Sequence, residues 1–287
     1  MDQLNVTVKK MLRETFQSIT TAVRKVLASW PSMALLAIIY AALLASLYFF
    51  LAVREASILQ VVLTFGLAVA AVLLFFLLHA LIAGRVSTAP DTNATTLLKR
   101  AGGNLWKLVV ISLPLIALAV LISYLLTKAQ NYFGVSASSA REMLEPVTGS
   151  RARKPPSSPI DWRVATISSV RYLAFALVLP LATIHLWLAT VREGLGSALR
   201  GIGTHLSRAF APQSVLIYVV GFVVFGVLPY LLLFRATPTS RAWLEILLLV
   251  LRLGVVFALT LFGWVITVWA LSLFSTSAVP EPANETT

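Results

Sequence analysis

The sequence predicts an all-α polytopic membrane protein with six transmembrane helices. The chain has 287 residues, of which 59% are hydrophobic and 12% are charged, whereas soluble domains are about 45–50% apolar and about 25% charged. Six windows without Asp, Glu, Lys or Arg reach the roughly 20 residues that a helix needs to span a bilayer. A basic amphipathic segment precedes each pair of windows, so we expect three helical hairpins, each preceded by an interfacial helix.

The charge-free windows place the spans near 31–53, 57–84, 107–127, 168–190, 213–234 and 244–275. The longest polar connection is an outer loop over 128–162, which is too short for a soluble domain of useful size. Residues 1–275 are therefore predicted to form a single transmembrane domain. Residues 276–287 contain two prolines and two glutamates, and we expect them to form a disordered cytoplasmic tail.

The basic segments have the spacing of amphipathic helices. In the first segment, apolar residues recur at steps of three and four from Val8 through Leu12 and Phe16 to Val26, which places them on one helical face. The third segment repeats this spacing from Leu195 to Phe210, and Gly102-Gly103 is expected to interrupt the second. Most cations lie off the apolar face, where they are predicted to contact anionic inner-leaflet lipids: Lys9, Lys10, Arg13, Arg24, Lys25, Lys99, Arg100, Arg200 and Arg208. These helices either orient the hairpins or bind a specific lipid or membrane protein partner.

The distribution of basic residues predicts that both termini are cytoplasmic. Lys and Arg are frequent before spans one, three and five, whereas the short outer turns hold only Arg54, Arg235 and Arg241. The loop 128–162 is also basic, but long loops count less in the positive-inside rule. The net charge of +12 is therefore interpreted as a signal of topology and lipid attraction, and no nucleic-acid partner is expected.

The spacing of the spans indicates an internal repeat. The starts of spans one and three are 76 residues apart, and spans three and five show a similar period once about 31 loop residues are removed. This favours a threefold repeat of hairpins. A 3+3 inverted repeat of the transporter type stays the alternative.

Three histidines are the first candidates for a site. His79 and His185 lie near the cytoplasmic ends of spans two and four, at equivalent positions of the repeat. Intramembrane ionisable residues point to function, so the pair could hold a cofactor metal between its imidazoles, line a polar substrate site, or make structural hydrogen bonds. The structural role is favoured. His205, on the third amphipathic segment, is expected to face solvent or lipid headgroups.

Three charged residues lie near the opposite membrane boundary. Arg171, Glu245 and Arg252 are predicted to form a charged outer vestibule, with Glu245 and Arg171 paired across helices. Long basic side chains can also reach an interface as simple anchors. The alternatives are therefore an anion site and an interfacial anchor.

Prolines and small residues give packing signals. Pro114, Pro180 and Pro229 are each expected to kink a span, because proline removes a backbone hydrogen bond. Small residues four apart predict close helix approach at Ala42/Ser46, Gly66/Ala70 and Gly254/Ala258.

No motif of catalysis, phosphate binding or metal binding occurs, and the chain has no cysteine. We therefore expect no enzymatic activity, no cofactor and no metal. The segments 105–114 (Leu-Trp-Lys-Leu-Val-Val-Ile-Ser-Leu-Pro) and 212–221, each after a basic amphipathic segment, resemble the six-helix bacterial membrane families typified by the membrane domain of some glycerophosphodiester phosphodiesterases. The resemblance implies a lipid-associated membrane module without that catalytic domain.

Two functions stay open from the sequence. The first is a non-enzymatic multi-pass module of the cell (inner) membrane that acts through lipid or protein contacts. The second is a transporter or lipid-moving permease with a site among the proline-kinked helices.

Overall fold

All regular secondary structure in the computed structural model is helical over the residues that it describes, which are 2–53, 57–87, 93–132, 162–235 and 241–277. Within these residues, six helices are long and apolar enough to cross a membrane by length and composition, which agrees with the predicted number of spans. The predicted outer loop lies outside the described residues over 133–161, and so does the predicted tail over 278–287.

The helices of the first, second, fifth and sixth spans begin and end within three residues of the predicted limits, whereas the helix of the third begins at Ala94 instead of 107. The N-terminal amphipathic helix is followed by the first two spans, and the third span is part of the longest helix. In chain order these helices are α1 Asp2–Leu27, α2 Trp30–Ala52, α3 Ile58–Ser87 and α4 Ala94–Tyr132. The later elements are α5 Trp162–Leu173, π1 Ala174–Val178, α6 Leu179–Glu193, α7 Leu195–Arg200, α8 Ile202–Ala209, α9 Pro212–Phe222, π2 Val223–Val227, α10 Leu228–Phe234 and α11 Ala242–Ser277.

The second and third amphipathic segments differ from the prediction. Helix α4 runs without interruption through Gly102 and Gly103, so the expected break there is wrong. A glycine costs a helix only about 1 kcal/mol relative to alanine, which the long apolar continuation of α4 offsets. The third segment forms the two short helices α7 and α8, which are separated at Gly201.

Two of the three prolines are preceded by a π-helical turn. The turns π1 and π2 each end two residues before a proline, Pro180 or Pro229. Proline has no backbone N–H, and its ring collides with the carbonyl four residues earlier, so a wider turn relieves the collision. Pro114 lies inside the α-helical α4.

The described chain divides into two compact units. The first comprises Met1–Ile111 and Leu181–Thr287, and the second comprises Ser112–Pro180. In the first unit, buried residues concentrate in the second half of α3, in α6 and in the second half of α11, whereas the first halves of α3 and α11 are exposed. Exposed apolar residues on a span are expected where lipid is the solvent.

Helix α1 packs against α9 and α11. Over residues 9–27, the part of α1 whose side chains are described, the buried residues are Thr15, Ala22 and Val26, at spacings of seven and four. The predicted apolar face includes Val26 but also Leu12 and Phe16, which are 44% and 69% exposed. The helix thus presents a buried stripe to the bundle and a second apolar stripe, roughly a quarter of a turn away, to the surroundings.

Candidate functional site

Two arginines lie at one end of the first unit, against the second half of α11. The Arg85 guanidinium carbon lies 5.7 Å from the centre of the Trp269 ring, in a cation–π arrangement, and Arg85 is 2% exposed. The Arg192 Nη2 donates to the Ser272 carbonyl at 3.4 Å. We call this end the basic end; it is where α3, α6 and α11 bury polar as well as apolar side chains.

His79 is held in an aromatic cluster. Its Nδ1–H donates to the Phe75 carbonyl at 2.7 Å, and its ring centre lies 4.3 Å from Phe75, 4.6 Å from Trp187 and 5.7 Å from Trp264. A cavity of about 10 Å³, at the lower limit of what one water molecule needs, borders His79 and Trp187. The polar bond of His79 is thus to its own helix, and the ring contacts connect α3 with α6 and α11.

His185 occupies a charged environment on α6. It is 4% exposed, and its Nδ1–H donates to the Leu181 carbonyl at 3.0 Å. The neutral ring therefore carries its lone pair on Nε2, which is buried and has no hydrogen-bond partner in the described part of the chain. The groups that act on His185 electrostatically are the His205 ring and the Arg192 and Arg208 guanidinium groups.

His205, which the sequence places in solvent or among headgroups, is buried, so that expectation is wrong. Only 8% of the residue is exposed, and its Nε2 lies 3.6 Å from Oε2 of Glu193. That separation is within the range of an ion pair but beyond a hydrogen bond. A Cβ on Gly201 would lie 3.0 Å from the same Nε2, so the absence of a side chain at Gly201 makes room for the ring.

The two intramembrane histidines have different neighbours. His79 shares its small cavity with Ile184, Trp187 and Leu188, which form one face of α6. His185 follows Ile184 directly and so points about 100° around the helix from it. The groups that act electrostatically on His185 are Arg192, Arg208 and His205, none of which borders the cavity at His79. The geometry therefore gives the two imidazoles separate surroundings, and a metal shared between them stays without support.

The predicted outer charges make local contacts. Arg171 in the second unit donates from Nη2 to Thr127 Oγ1 at 3.1 Å and borders an open groove of about 500 Å³ with Ser123 and Tyr172. Arg252 in the first unit donates from Nη1 to the Arg235 carbonyl at 2.6 Å, just beyond the end of α10. Glu245 is exposed in the first turn of α11. The vestibule and the pairing of Glu245 with Arg171 stay predictions.

The predicted lipid-contacting cations are mostly exposed. Arg208 is half-buried beside His185, and Lys10 lies 4.0 Å from Glu14 one turn along α1. The exposed members are Lys9, Lys10, Arg13, Arg24, Lys25, Lys99, Arg100 and Arg200. Surface pairs such as Lys10–Glu14 contribute little to stability, so these side chains are available to an external anion.

Within the described residues, no group of three or more His, Asp or Glu side chains could hold a metal ion. Comparisons with protein-family models, curated proteins and solved structures found no match for this chain. The sequence-based prediction did not indicate that Arg192, Arg208 and His205 act electrostatically on His185. A signal was present, because Arg192 follows His185 by seven residues and so lies two turns along the same face of α6.

Proposed function

We propose that the protein is a non-enzymatic multi-pass module of the cell (inner) membrane that acts through contacts with anionic lipids. Both termini and the basic end are cytoplasmic in this proposal, because Lys and Arg concentrate in the short connections at that end. The six spans are arranged as three hairpins, and α1 lies in the membrane interface. A membrane protein partner on the same face is compatible with this role.

The arrangement of α1 carries the proposal. One face of α1 is attached to the bundle through Ala22 and Val26. The adjacent apolar face, with Leu12 and Phe16, is exposed, and the exposed cations Lys9, Lys10 and Arg13 lie beyond it. A helix with these three faces can remain fixed to the protein, insert apolar side chains at the headgroup boundary and attract anionic lipids. Each such cation contributes about 1 kcal/mol of attraction near an anionic leaflet.

The test compares the lipids that co-purify with the wild-type protein and with two charge-reversal variants. The full chain is extracted in a lipid-preserving polymer from the same host membrane, and co-purifying lipids are quantified by mass spectrometry. The combined variant Lys9→Glu, Lys10→Glu and Arg13→Glu is expected to lose the enrichment in anionic lipid. The control Arg241→Glu replaces an exposed cation just before α11, which in this proposal lies on the other side of the membrane from α1. This variant is expected to keep the enrichment in anionic lipid. Equal lipid composition in all three proteins would contradict the proposal.

The π-helical turns favour a second candidate, a transporter or lipid-moving permease. The turn π1 precedes Pro180 in the fourth span, and π2 precedes Pro229 in the fifth span. Irregular turns of this type are frequent at functional sites. Proline-broken spans can also line substrate sites in transporters.

A lipid-movement assay separates the two candidates. Vesicles containing the protein and a fluorescent lipid are treated with an impermeant quencher of the outer leaflet. A module that acts by contact is expected to leave lipid movement at the rate of protein-free vesicles. Faster movement that is lost in Pro180→Ala or Pro229→Ala would support the permease.

A further inference from the structure

We propose that His185, His205, Arg192 and Arg208 form a binding site for the headgroup of an anionic phospholipid that carries both a phosphate and a free hydroxyl. The inference rests on the proposed lipid-contacting function and names the lipid class and the residues. The phosphate would contact the two guanidinium groups, and the hydroxyl would donate to Nε2 of His185.

The charges of the cluster favour an anion. Arg192 and Arg208 both act electrostatically on His185, and Glu193 lies 3.6 Å from the His205 ring. These two guanidinium groups and this carboxylate sum to one positive charge, which favours an anionic ligand. Arginine is suited to phosphate, because its planar N–H groups match two phosphate oxygens at once.

The Nε2 atom of His185 explains why a hydroxyl is needed. The Leu181 carbonyl accepts from Nδ1, so Nε2 of the neutral ring can only accept a hydrogen bond. This buried atom has no hydrogen-bond partner within the described residues, and buried polar atoms rarely lack one. A phosphate oxygen would not satisfy the lone pair, whereas a hydroxyl hydrogen would.

The exposure of these side chains decreases from the arginines to the histidines, which matches the order of phosphate and terminal hydroxyl in such a headgroup. Arg192 is exposed, Arg208 is half-buried, and His185 and His205 are buried. A lipid whose phosphate lies at the arginines would therefore direct its terminal hydroxyl toward the imidazoles. Gly201 makes room for the His205 ring and thus influences the shape of this region.

The experiment uses the full chain in vesicles of phosphatidylcholine with a minor fraction of one anionic lipid. Phosphatidylglycerol has the phosphate and free hydroxyls, and phosphatidylmethanol has the same charge without a hydroxyl. Lipid retained per protein is counted by native mass spectrometry. We expect a two- to tenfold preference for phosphatidylglycerol, the range that one net hydrogen bond gives.

Substitutions test which residues produce the preference for phosphatidylglycerol. His185→Leu is expected to abolish the preference while retaining both anionic lipids, and Arg208→Gln is expected to weaken retention of both. Gly201→Ala is expected to reduce the preference by displacing the His205 ring. Its control, Gly203→Ala, adds a methyl group where no atom lies within 4 Å and is expected to behave like the wild type.

The outcomes separate this inference from the proposed function. Equal retention of the two anionic lipids by the wild-type protein would overturn the headgroup site, and this arm needs no variant to fold. It would leave the charge-dependent enrichment at α1 intact. Displacement of phosphatidylglycerol by millimolar soluble glycerol phosphate would instead identify a free phosphate ester as the ligand and would also overturn the lipid assignment.

Discussion

Gly221 of α9 lies directly against Thr267 of α11, and a Cβ at Gly221 would overlap the threonine side chain. The Thr267 hydroxyl donates to the Gly263 carbonyl at 2.6 Å, and Gly263 itself lies against Val224 and Phe225 of π2. Glycines on both helices thus permit their close approach, as is typical of helix pairs in membranes.

The predicted small-residue pairs do not occupy this contact. Gly66 and Gly254 have no atom within 4 Å of where a Cβ would lie. The predicted close approach at these two glycines is therefore wrong. Small residues at a spacing of four occur by chance in any apolar helix, and only the facing helix determines which of them are in contact.

The first prediction concerns this packing. Gly221→Ala is expected to destabilise the protein by about 1–3 kcal/mol, because an added methyl group in a packed contact forces a backbone or side-chain shift. Gly66→Ala, the matched control in an open position, is expected to have no destabilising effect. Unfolding in mixed micelles by graded denaturing detergent measures both. Equal midpoints for the two variants would contradict the assigned contact.

The second prediction concerns a hydrogen bond between the first and last spans. The oxygens of Tyr40 and Thr260 are 2.9 Å apart, and the threonine hydroxyl also donates to the Val256 carbonyl at 2.9 Å. The tyrosine is therefore the donor. We expect Tyr40→Phe to cost about 0.5–1.5 kcal/mol.

Tyr48→Phe is the control for Tyr40→Phe, because Tyr48 is exposed on the same helix. A double-mutant cycle with Thr260→Val isolates the pair. Additive effects of Tyr40→Phe and Thr260→Val would show that the hydroxyl groups do not interact.

The third prediction separates the roles of His79. Because its contacts with α6 and α11 are between rings, His79→Phe is expected to preserve most of the stability. His79→Ala is expected to cost about 2–5 kcal/mol through the cavity that it leaves. We also expect the purified protein to be colourless. A visible absorption band that disappears in both His79→Ala and His185→Ala would establish a cofactor instead.

The fourth prediction is topological and uses the absence of cysteine from the chain. Ser57 is exposed before the start of α3, and Ser197 is exposed on α7. An impermeant thiol reagent added to intact cells is expected to label Ser57→Cys but not Ser197→Cys, which should react only after the membrane is opened. The cysteine-free wild type reports background labelling. Labelling of Ser197→Cys alone in intact cells would reverse the proposed orientation.

The spans were predictable because their signal is local. Transfer of a continuous apolar stretch into lipid depends on that stretch alone, so the limits near 213–234 and 244–275 agree closely with Pro212–Phe234 and Ala242–Ser277. The proline breaks are local for the same reason, since Pro180 and Pro229 exclude a regular backbone hydrogen bond wherever their helices lie.

The candidate site was predictable only in part. His79 and His185 could be singled out as polar residues within apolar spans, but the groups around them come from distant segments. Trp264 of α11 lies against His79, and His205 and Arg208 of α8 act electrostatically on His185. Burial of His205 likewise depends on how α8 folds back toward α6.

The sequence by itself determined that the chain is helical, apolar and built around six spans with basic connections. Only the tertiary structure decided which apolar face of α1 packs against α9 and α11, that Gly221 rather than Gly66 lies in a helix contact, and that the two intramembrane histidines have separate surroundings. The physical reason is that lipid tails are as apolar as a protein interior, so hydrophobicity places a residue in the membrane without indicating whether lipid or another helix lies beside it.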